Sequence, residues 1–227
     1  KYEQEFEISF EAPIVGAFYG ELLKELTDKN RIREIVPEAA TQKVTAWDLG
    51  MSDSTAIWVA EMISGEVRVM DFYEASGESL DHYIKWLDEK GYRDYTHIMP
   101  HDVNVRELQT GKSRYQFLTE AGLDIEVAPK SSVEDGIQAV RRILPNCWFN
   151  KDKTRAGVEC LQNYRRVFNE KTSSFQNRPL HDWSSHAADA FRYLALGMDS
   201  TGNGQRTDWS KPFETTLDGD SYKDYYV

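Results

Sequence analysis

Hydrophobic positions recur along the chain either at helical spacing or in short strand-like segments. These two patterns predict where its helices and strands lie. Apolar residues fall at helical spacing through GAFYGELLKEL, which predicts a helix packed on the main body. Three strand-like segments follow from residue 43, VTAWDLG, STAIWVAEMI and EVRVMDFYEA, separated by MSD and by Ser64–Gly65. Strands with such short connections form an antiparallel meander.

After the meander, helical and strand-like patterns take turns. GESLDHYIKWLDEKGY predicts a helix ended by Gly91, and THIMPHD predicts a short strand that ends at Asp102. YQFLTEAG predicts a helix, LDIEVAPK a strand, SSVEDGIQAVRRIL a helix capped by Ser131 or Ser132, and NCWFN a short buried strand. We expect residues 156–170 to be helical and SSFQNRP to be a loop. The segment HDWSSHAADAFRYLALGM then predicts a loop followed by a last helix.

This order predicts a mixed α/β fold. Three antiparallel strands are followed by strands that alternate with helices, which is typical of a mixed central sheet with helices on both faces. We expect the fourth strand to lie parallel to the first, with the last helix covering the ends of both. Residues 41–199 would form this domain, residues 1–40 a lead-in segment with a helix, and residues 200–227 a polar, weakly ordered tail.

Composition narrows the class of protein. The chain has 227 residues and a formal net charge of −11. Its sequence lacks an apolar run long enough to span a bilayer and a signal-peptide pattern, so we expect a soluble, intracellular protein without membrane contact. The two cysteines, Cys147 and Cys160, are interpreted as reduced core residues. The negative charge argues against broad electrostatic attraction to nucleic acid. It does not exclude a nuclease whose carboxylates bind divalent cations.

Three aspartates fall where the predicted sheet could bring them together. Asp48 ends the first strand, Asp102 ends the fourth, and Asp189 lies on the last helix. Carboxylates held close together recruit a cation or raise one another's pKa. An all-oxygen set suits Mg²⁺ or Mn²⁺, and two such ions about 3.5–4 Å apart can activate water and stabilise the leaving oxygen in phosphodiester hydrolysis.

Other residues near these aspartates have two interpretations each. His186 shares a helix face with Asp189, so it is either a structural histidine or a group for metal binding or proton transfer. Asp182 is either the cap at the entry to the last helix or a secondary metal ligand. Asp53 is either a turn residue or an outer metal contact. Asp102 could simply bond nearby backbone amides at the end of its strand.

Basic residues follow Asp102 in a polar loop. Arg106, Lys112 and Arg114 could hold DNA phosphates at the metal site, and Lys130 is a further candidate. The alternative is a solvated surface loop.

Three motifs together resemble a known family. VTAWDLGMSDST, IMPHD and SHAADAFRYLA are similar to the metal-binding motifs of the C-terminal nuclease domain of tailed-bacteriophage terminase large subunits, which has an RNase H-like, RuvC-like fold. The resemblance extends from about Tyr2 to Met198. It implies that Asp48, Asp102 and Asp189 are ligands of Mg²⁺ or Mn²⁺, and that His186 belongs to the same site.

The resemblance also implies a biological setting. Such a domain is an endonuclease that cuts concatemeric double-stranded phage DNA in the host cytoplasm, while a separate ATPase domain drives packaging together with the portal and the small terminase subunit. The chain lacks GxxxxGK[ST], the phosphate-binding motif of such an ATPase. We therefore expect an isolated nuclease domain that follows a missing ATPase domain.

Three other functions remain open on the sequence. A Holliday-junction resolvase or transposase would share the chemistry and differ in substrate. DLGMSDST is also similar to the first phosphate loop of actin-type and sugar-kinase-type nucleotide-binding proteins, although a second glycine-bearing loop is missing from the sequence. A non-catalytic domain that docks on the portal or the small subunit would not depend on the three aspartates.

Overall fold

A computed structural model describes most of the chain. The described residues are 14–37, 39–40, 42–50, 54–106 and 111–202, with side chains up to residue 198. Asp53, the predicted extended segment near the N-terminus and the predicted tail from residue 203 onwards lie outside these ranges.

The described residues form helices and strands in the mixed order that the sequence predicts. The α helices are α1 (Gly20–Asp28), α2 (Leu80–Lys90), α3 (Arg114–Glu120), α4 (Val133–Ile143), α5 (Arg155–Asn163) and α6 (Ser185–Gly202). The strands are β1 (Ile32–Arg33), β2 (Gln42–Asp48), β3 (Ser54–Ile63), β4 (Glu66–Ser76), β5 (Thr96–Met99), β6 (Asp124–Val127), β7 (Cys147–Asn150), β8 (Arg166–Asn169) and β9 (Ser174–Pro179). Two short 3-10 helices span His101–Asn104 and Leu144–Asn146.

Seven strands form one mixed sheet in the order β1-β7-β4-β3-β2-β5-β6. The strands β2, β3 and β4 pair antiparallel, whereas the β2–β5, β5–β6, β4–β7 and β1–β7 pairs are parallel. The predicted sheet is confirmed, including the parallel placement of the fourth predicted strand beside the first. Because β2 and β5 are parallel neighbours, their carboxyl ends meet at one edge of the sheet.

Local signals set the turns as predicted. Ser64 and Gly65, between β3 and β4, both have positive φ angles, of 52° and 83°. Such a pair suits a two-residue hairpin turn whose twist matches that of the strands. Gly91 ends α2 in the left-handed conformation, which glycine adopts without a steric penalty. The Ser132 side chain caps α4 by accepting a hydrogen bond from the backbone N–H of Asp135.

Helices cover both faces of the sheet, as predicted. The helices α1, α4, α5 and α6 pack on one face, around Trp58, Phe149 and Phe191. The helices α2 and α3 pack on the other face, around Trp47 and Tyr83. Each face therefore has its own aromatic core, and α6 belongs to the first.

A bulge interrupts the pairing of β3 with β4. The register shifts between Val59 and Ala60, so Met70 of β4 is an extra residue. Val69 before the bulge and Phe72 after it contact the same core, although they are three residues apart. The bulge therefore changes which positions of β4 face α6.

Two predictions near the C-terminal end of the sequence are wrong. The helix predicted for residues 156–170 ends at Asn163, and the SSFQNRP segment is β9 rather than a loop. Tyr164 explains why the helix stops there. Its backbone is extended, and its buried ring stacks on Tyr19 of the N-terminal segment at 5.8 Å between ring centroids.

The strands β8 and β9 pair as an antiparallel hairpin instead. The rings of Phe168 and Phe175 contact each other across this hairpin, with centroids 5.0 Å apart. Cross-strand aromatic pairs of this kind stabilise a hairpin that has little buried surface. The hairpin leads directly into the segment before α6.

Both cysteines are buried and free, as predicted. Burial raises the pKa of the Cys147 thiol well above its usual range and that of Cys160 to about 12. Among the described residues, no helix is both long enough and apolar enough to span a membrane.

Candidate active site

Asp48 is the last residue of β2 and lies on the sheet face that α6 covers. In the ladder, Asp48 pairs with Ala56 of β3, and Ala56 pairs with Glu74 of β4. Paired residues of neighbouring strands point to the same face, so the two carboxylates flank a small alanine in one row. His186, in the first turn of α6, lies close to both, since it contacts Asp48 and lines one cleft with Glu74. The hydrogen bond to Asp48 and the charges of Asp48 and Glu74 raise the pKa of His186.

Asp48 and His186 are joined by a hydrogen bond. Nδ1 of His186 and Oδ2 of Asp48 are 2.9 Å apart, and the side chains of Asp48 and His186 are 18% and 17% exposed, respectively. Burial raises the pKa of Asp48 to about 6, the hydrogen bond to His186 opposes this increase, and the charge of Asp189 adds to it. A carboxylate whose charge is disfavoured in this way gains from a nearby cation.

Asp189 has a basic partner within its own helix. Nε and Nη2 of Arg192 both donate to Oδ1 of Asp189, at 3.1 and 2.7 Å. The hydroxyl of Tyr164 donates to the same oxygen at 3.4 Å. Arg192 is only 7% exposed. The charge of Asp189 is therefore balanced by a buried guanidinium, and three donors converge on one of its two oxygens.

Asp102 lies just beyond the end of β5. The strand stops at Met99, earlier than predicted, and Asp102 is exposed on the 3-10 helix that follows. Tyr193 connects this residue to the other two aspartates. Burial raises the pKa of the Tyr193 hydroxyl, and the charges of Asp48, Asp189 and Asp102 raise it further. All three predicted aspartates therefore lie within electrostatic range of one side chain of α6.

The three aspartates do not close around a single point. Within the described ranges, three or more His, Cys, Asp or Glu side chains do not converge in an arrangement suited to a metal ion. The donor chemistry still fits a hard divalent cation, since all three candidates offer carboxylate oxygens and Asp48 carries a destabilised charge. Their assignment as metal ligands stays a prediction.

Both carboxylate oxygens of Asp182 contact neighbouring residues. Oδ1 accepts hydrogen bonds from the backbone N–H and the hydroxyl of Ser184, at 3.0 and 2.6 Å. Oδ2 lies 3.3 Å from Nη2 of Arg165. These contacts fit the interpretation of Asp182 as the residue that fixes the entry to α6. Its role as a secondary metal ligand is not tested by them.

A cleft of about 310 Å³ opens beside His186. It is lined by Ser54, Glu74, Ser76, His181, Asp182, Trp183 and His186. Glu74 and Trp183 are not among the site residues predicted from the sequence. The signal for Glu74 was weak, because strict alternation in β4 places it on the opposite face from Val69, and only the bulge brings both to the same side.

Two of the predicted basic residues lie near the end of β2. Nη1 of Arg114 is 3.5 Å from the carbonyl oxygen of Leu49, the residue after Asp48. Nζ of Lys112 donates to Glu120 at 2.7 Å. Lys112 and Arg114 also line a second cleft, of about 410 Å³. Arg114 is thus placed beside the end of β2, in the cleft that Leu49 and Tyr83 also line, and its contact with DNA stays a prediction.

The other two basic candidates are exposed. Arg106 forms an isolated backbone bridge with Ser113, which closes the base of its loop. Lys130 lies in the segment between β6 and α4. Both side chains are accessible to a ligand, and their role in DNA binding also stays a prediction.

The Asp48–His186 pair predicts a pH-dependent stability difference. Asp48 and His186 hold their protons more tightly in the folded protein than in the unfolded chain. In the unfolded chain their pKa values are near 3.8 and 6.5. In EDTA the pair's contribution to the free energy of unfolding therefore falls as pH rises from about 4 to above 6.5. As pH rises over this range, we expect the free energy of unfolding of Asp48→Asn to increase by about 1–3 kcal/mol relative to that of wild type. Urea unfolding at several pH values would measure this difference.

An exposed carboxylate provides the control for this experiment. Glu25 is 60% exposed and contacts Lys29 on the surface of α1. Glu25→Gln should differ from wild type by a small amount at each pH. A difference between Asp48→Asn and wild type that does not change with pH would contradict the prediction.

The architecture around this site is that of a known class of structures. The chain has the RNase H-like α/β fold of terminase nuclease domains, which confirms the predicted fold class. The large terminase of a thermophilic bacteriophage, solved in complex with ATP-γ-S, matches with a TM-score of 0.62 and 17% identity. That match covers 79% of this chain and 45% of the terminase chain, so this chain spans less than half of that protein's length.

Separate nuclease domains match over almost their whole length. The g2p nuclease domain of bacteriophage SPP1, solved with bound Mn, gives a TM-score of 0.51 at 17% identity over 74% of this chain and 96% of its own. The large terminase nuclease of thermophilic phage G20c, solved with bound magnesium, gives a TM-score of 0.55 at 12% identity. That match covers 81% of this chain and 98% of the G20c chain. Neither a protein-family model nor a curated protein sequence matches the chain. At these identities the similarity establishes the fold.

Proposed function

We propose that this chain is the nuclease domain of a phage terminase large subunit, a metal-dependent endonuclease that cuts double-stranded DNA. The observation that carries the proposal is the position of Asp48. It ends β2, an interior strand of the sheet, its charge is disfavoured by burial and by Asp189, and it is hydrogen-bonded to His186. Burial of an acidic group against other charged groups is typical of sites that perform chemistry.

The fold similarity supports the same proposal. Two proteins with this fold are terminase nucleases that were solved with bound manganese or magnesium. In this chain, Asp48, Asp102 and Asp189 would hold such ions. Two divalent ions supply an activated water and stabilise the oxygen that leaves the cut phosphodiester.

The side chains around the aspartates have separate tasks under this proposal. His186 would orient Oδ2 of Asp48 through the existing hydrogen bond, and its ring is placed to hold or move a proton at the edge of the cleft. Arg192 fixes Asp189 through Oδ1, which leaves Oδ2 as the oxygen for a cation. Arg114 and the exposed Arg106, Lys112 and Lys130 would hold DNA phosphates.

The net charge of −11 fits a domain that works as part of a larger assembly. Repulsion between this acidic chain and DNA would keep its intrinsic affinity low. We propose that an ATPase domain in the same polypeptide, the portal and the small terminase subunit supply most of the DNA binding. The host cytoplasm is the proposed location of that assembly.

Cleavage of supercoiled plasmid tests the proposal. With Mg²⁺ or Mn²⁺ the domain should convert supercoiled plasmid to nicked and linear forms, and with EDTA it should not. A mock preparation from cells without the gene controls for contaminating nucleases. A folded domain that leaves plasmid intact with both metals would contradict activity of the domain alone and favour the docking interpretation. Comparing branched with linear duplex would separate a resolvase from a terminase.

A further inference from the structure

Trp183 exposes its indole to solvent. It is 55% exposed, whereas Trp47, Trp58 and Trp86 are buried. Burying an aromatic side chain removes about 150–250 Å² of surface from water, so a tryptophan left in solvent forgoes a large stabilisation. Exposed tryptophans are enriched where proteins bind other molecules.

The backbone on both sides of Trp183 is held in place. Asp182 accepts two hydrogen bonds from Ser184, and its Oδ2 lies 3.3 Å from Arg165. The backbone N–H of Asp182 donates to Oγ of Ser185 at 3.0 Å, and the backbone N–H of Ser185 donates to the carbonyl of Asp182 at 3.0 Å. Trp183 is therefore presented on a fixed turn, and little conformational entropy is lost when it binds a ligand.

The surroundings of Trp183 specify the kind of ligand. It lines the same cleft as Glu74 and His186, within the region of the proposed active site. Its neighbours in that cleft are polar, so the indole is an isolated flat apolar surface. A protein partner would need a larger apolar patch. A nucleobase needs one aromatic face for stacking and polar groups around its edge.

We propose that Trp183 is a stacking site for an unpaired nucleobase next to the phosphodiester that is cut. This inference rests on the proposed nuclease function and adds a feature of the substrate. A base within an intact duplex is stacked on both sides, so it must leave the helix to contact the indole. The site therefore favours DNA that is frayed, mismatched or locally single-stranded near the cut.

A base-against-abasic comparison tests the proposal directly. The probes are a fluorescein-labelled duplex with one unpaired thymidine and the same duplex with an abasic residue in its place. Anisotropy titrations are done in Ca²⁺, with a gel to verify that the DNA stays intact. Wild type should bind the thymidine probe at least about fivefold more tightly than the abasic probe. Trp183→Ala should bind both equally, and Trp183→Phe should keep most of the preference.

Phe168→Ala is the matched control, because Phe168 is also an exposed aromatic residue, at 49%, and does not line the cleft. It should keep the full preference for the thymidine probe. A preference that survives in Trp183→Ala, that is lost equally in Phe168→Ala, or that is missing from wild type would overturn the inference.

Plasmid cleavage by the same preparations keeps the two proposals apart. Metal-dependent cleavage without a thymidine preference overturns the stacking site alone. A thymidine preference that requires Trp183, in a protein that does not cut, shows that the indole stacks on a base, but it contradicts the nuclease function and overturns the placement of that base beside a cut phosphodiester.

Discussion

Replacing Asp48 with asparagine is expected to lower the rate of metal-dependent plasmid cleavage by about a thousandfold. Loss of one preorganised charged group at a reaction centre has effects of this size. Asparagine keeps the shape of the side chain and removes the charge that would hold a cation. Because burial raises the pKa of Asp48 to about 6, its ionised form costs free energy at neutral pH. The variant should therefore be folded and at least as stable as wild type.

Single-turnover cleavage rates and urea unfolding at about pH 7.5, above the folded pKa of Asp48, would measure both effects.

Asp189→Asn is a second variant to compare with Asp48→Asn. It should also lose activity, but Arg192, 7% exposed, would keep a buried charge without its partner. Breaking such a pair costs about 3–5 kcal/mol. Glu25→Gln, on the surface of α1, should change neither quantity. Normal cleavage by Asp48→Asn would remove Asp48 from the site.

Trp58→Ala is expected to lower the free energy of unfolding by about 3–5 kcal/mol. Trp58 is fully buried on the face that α6 covers. Its ring lies 4.5 Å from that of Phe72 and 5.1 Å from that of Phe191, between centroids. Its Nε1–H donates to the carbonyl of Ala187 at 2.7 Å, in the first turn of α6. The indole therefore joins the sheet to the helix that carries His186.

The packing around Trp58 leaves little room for adjustment. A Cβ at Gly157 would clash with the Trp58 ring, so α5 contacts the indole through a residue without a side chain. Removal of the ring would leave a cavity beneath α5 and α6. Chemical unfolding of the purified variant would give the loss of stability, and cleavage should fall with it because α6 is less firmly held.

Two substitutions control for the loss of the Trp58 ring. Trp58→Phe keeps an aromatic ring and loses the donor to Ala187, so its effect should be intermediate. Trp183→Ala removes the same side chain from an exposed position, where the change should be within about 0.5 kcal/mol. Equal destabilisation by Trp58→Ala and Trp183→Ala would contradict the central role of Trp58.

The sheet and its main connections were predictable because they depend on local patterns. The turn at Ser64–Gly65 and the left-handed stop at Gly91 are signals carried by single residues. Once the meander and the crossover helix were identified, the position of β5 beside β2 followed, and with it the common edge for Asp48 and Asp102.

The hairpin after α5 was not predictable in the same way. A helix and a strand are both compatible with the residues after Asn163, and the choice depends on Tyr164. Its ring packs against Phe18 and Tyr19, which lie close to the other end of the chain. A contact at that separation leaves no periodic signal in the local sequence.

The contacts that the site residues make were also not predictable from the sequence. A buried carboxylate such as Asp189 requires a cation or a basic residue beside it, and Arg192 provides the latter from the next turn of α6. The position of Glu74 depends on the bulge at Met70, because one extra residue reverses the alternation of all later positions in β4. Periodicity alone places Glu74 on the wrong face.

The burial of Cys147 and Cys160 makes these two thiols reporters of how often the core opens. Thiolate is the reactive form of cysteine, and burial raises the pKa of both thiols, so neither reacts while the core is closed. Both belong to the core beneath α6, one from β7 and one from α5. The rate at which a thiol reagent modifies the native chain, divided by its rate with the unfolded chain, therefore reports how far that core opens in the folded state.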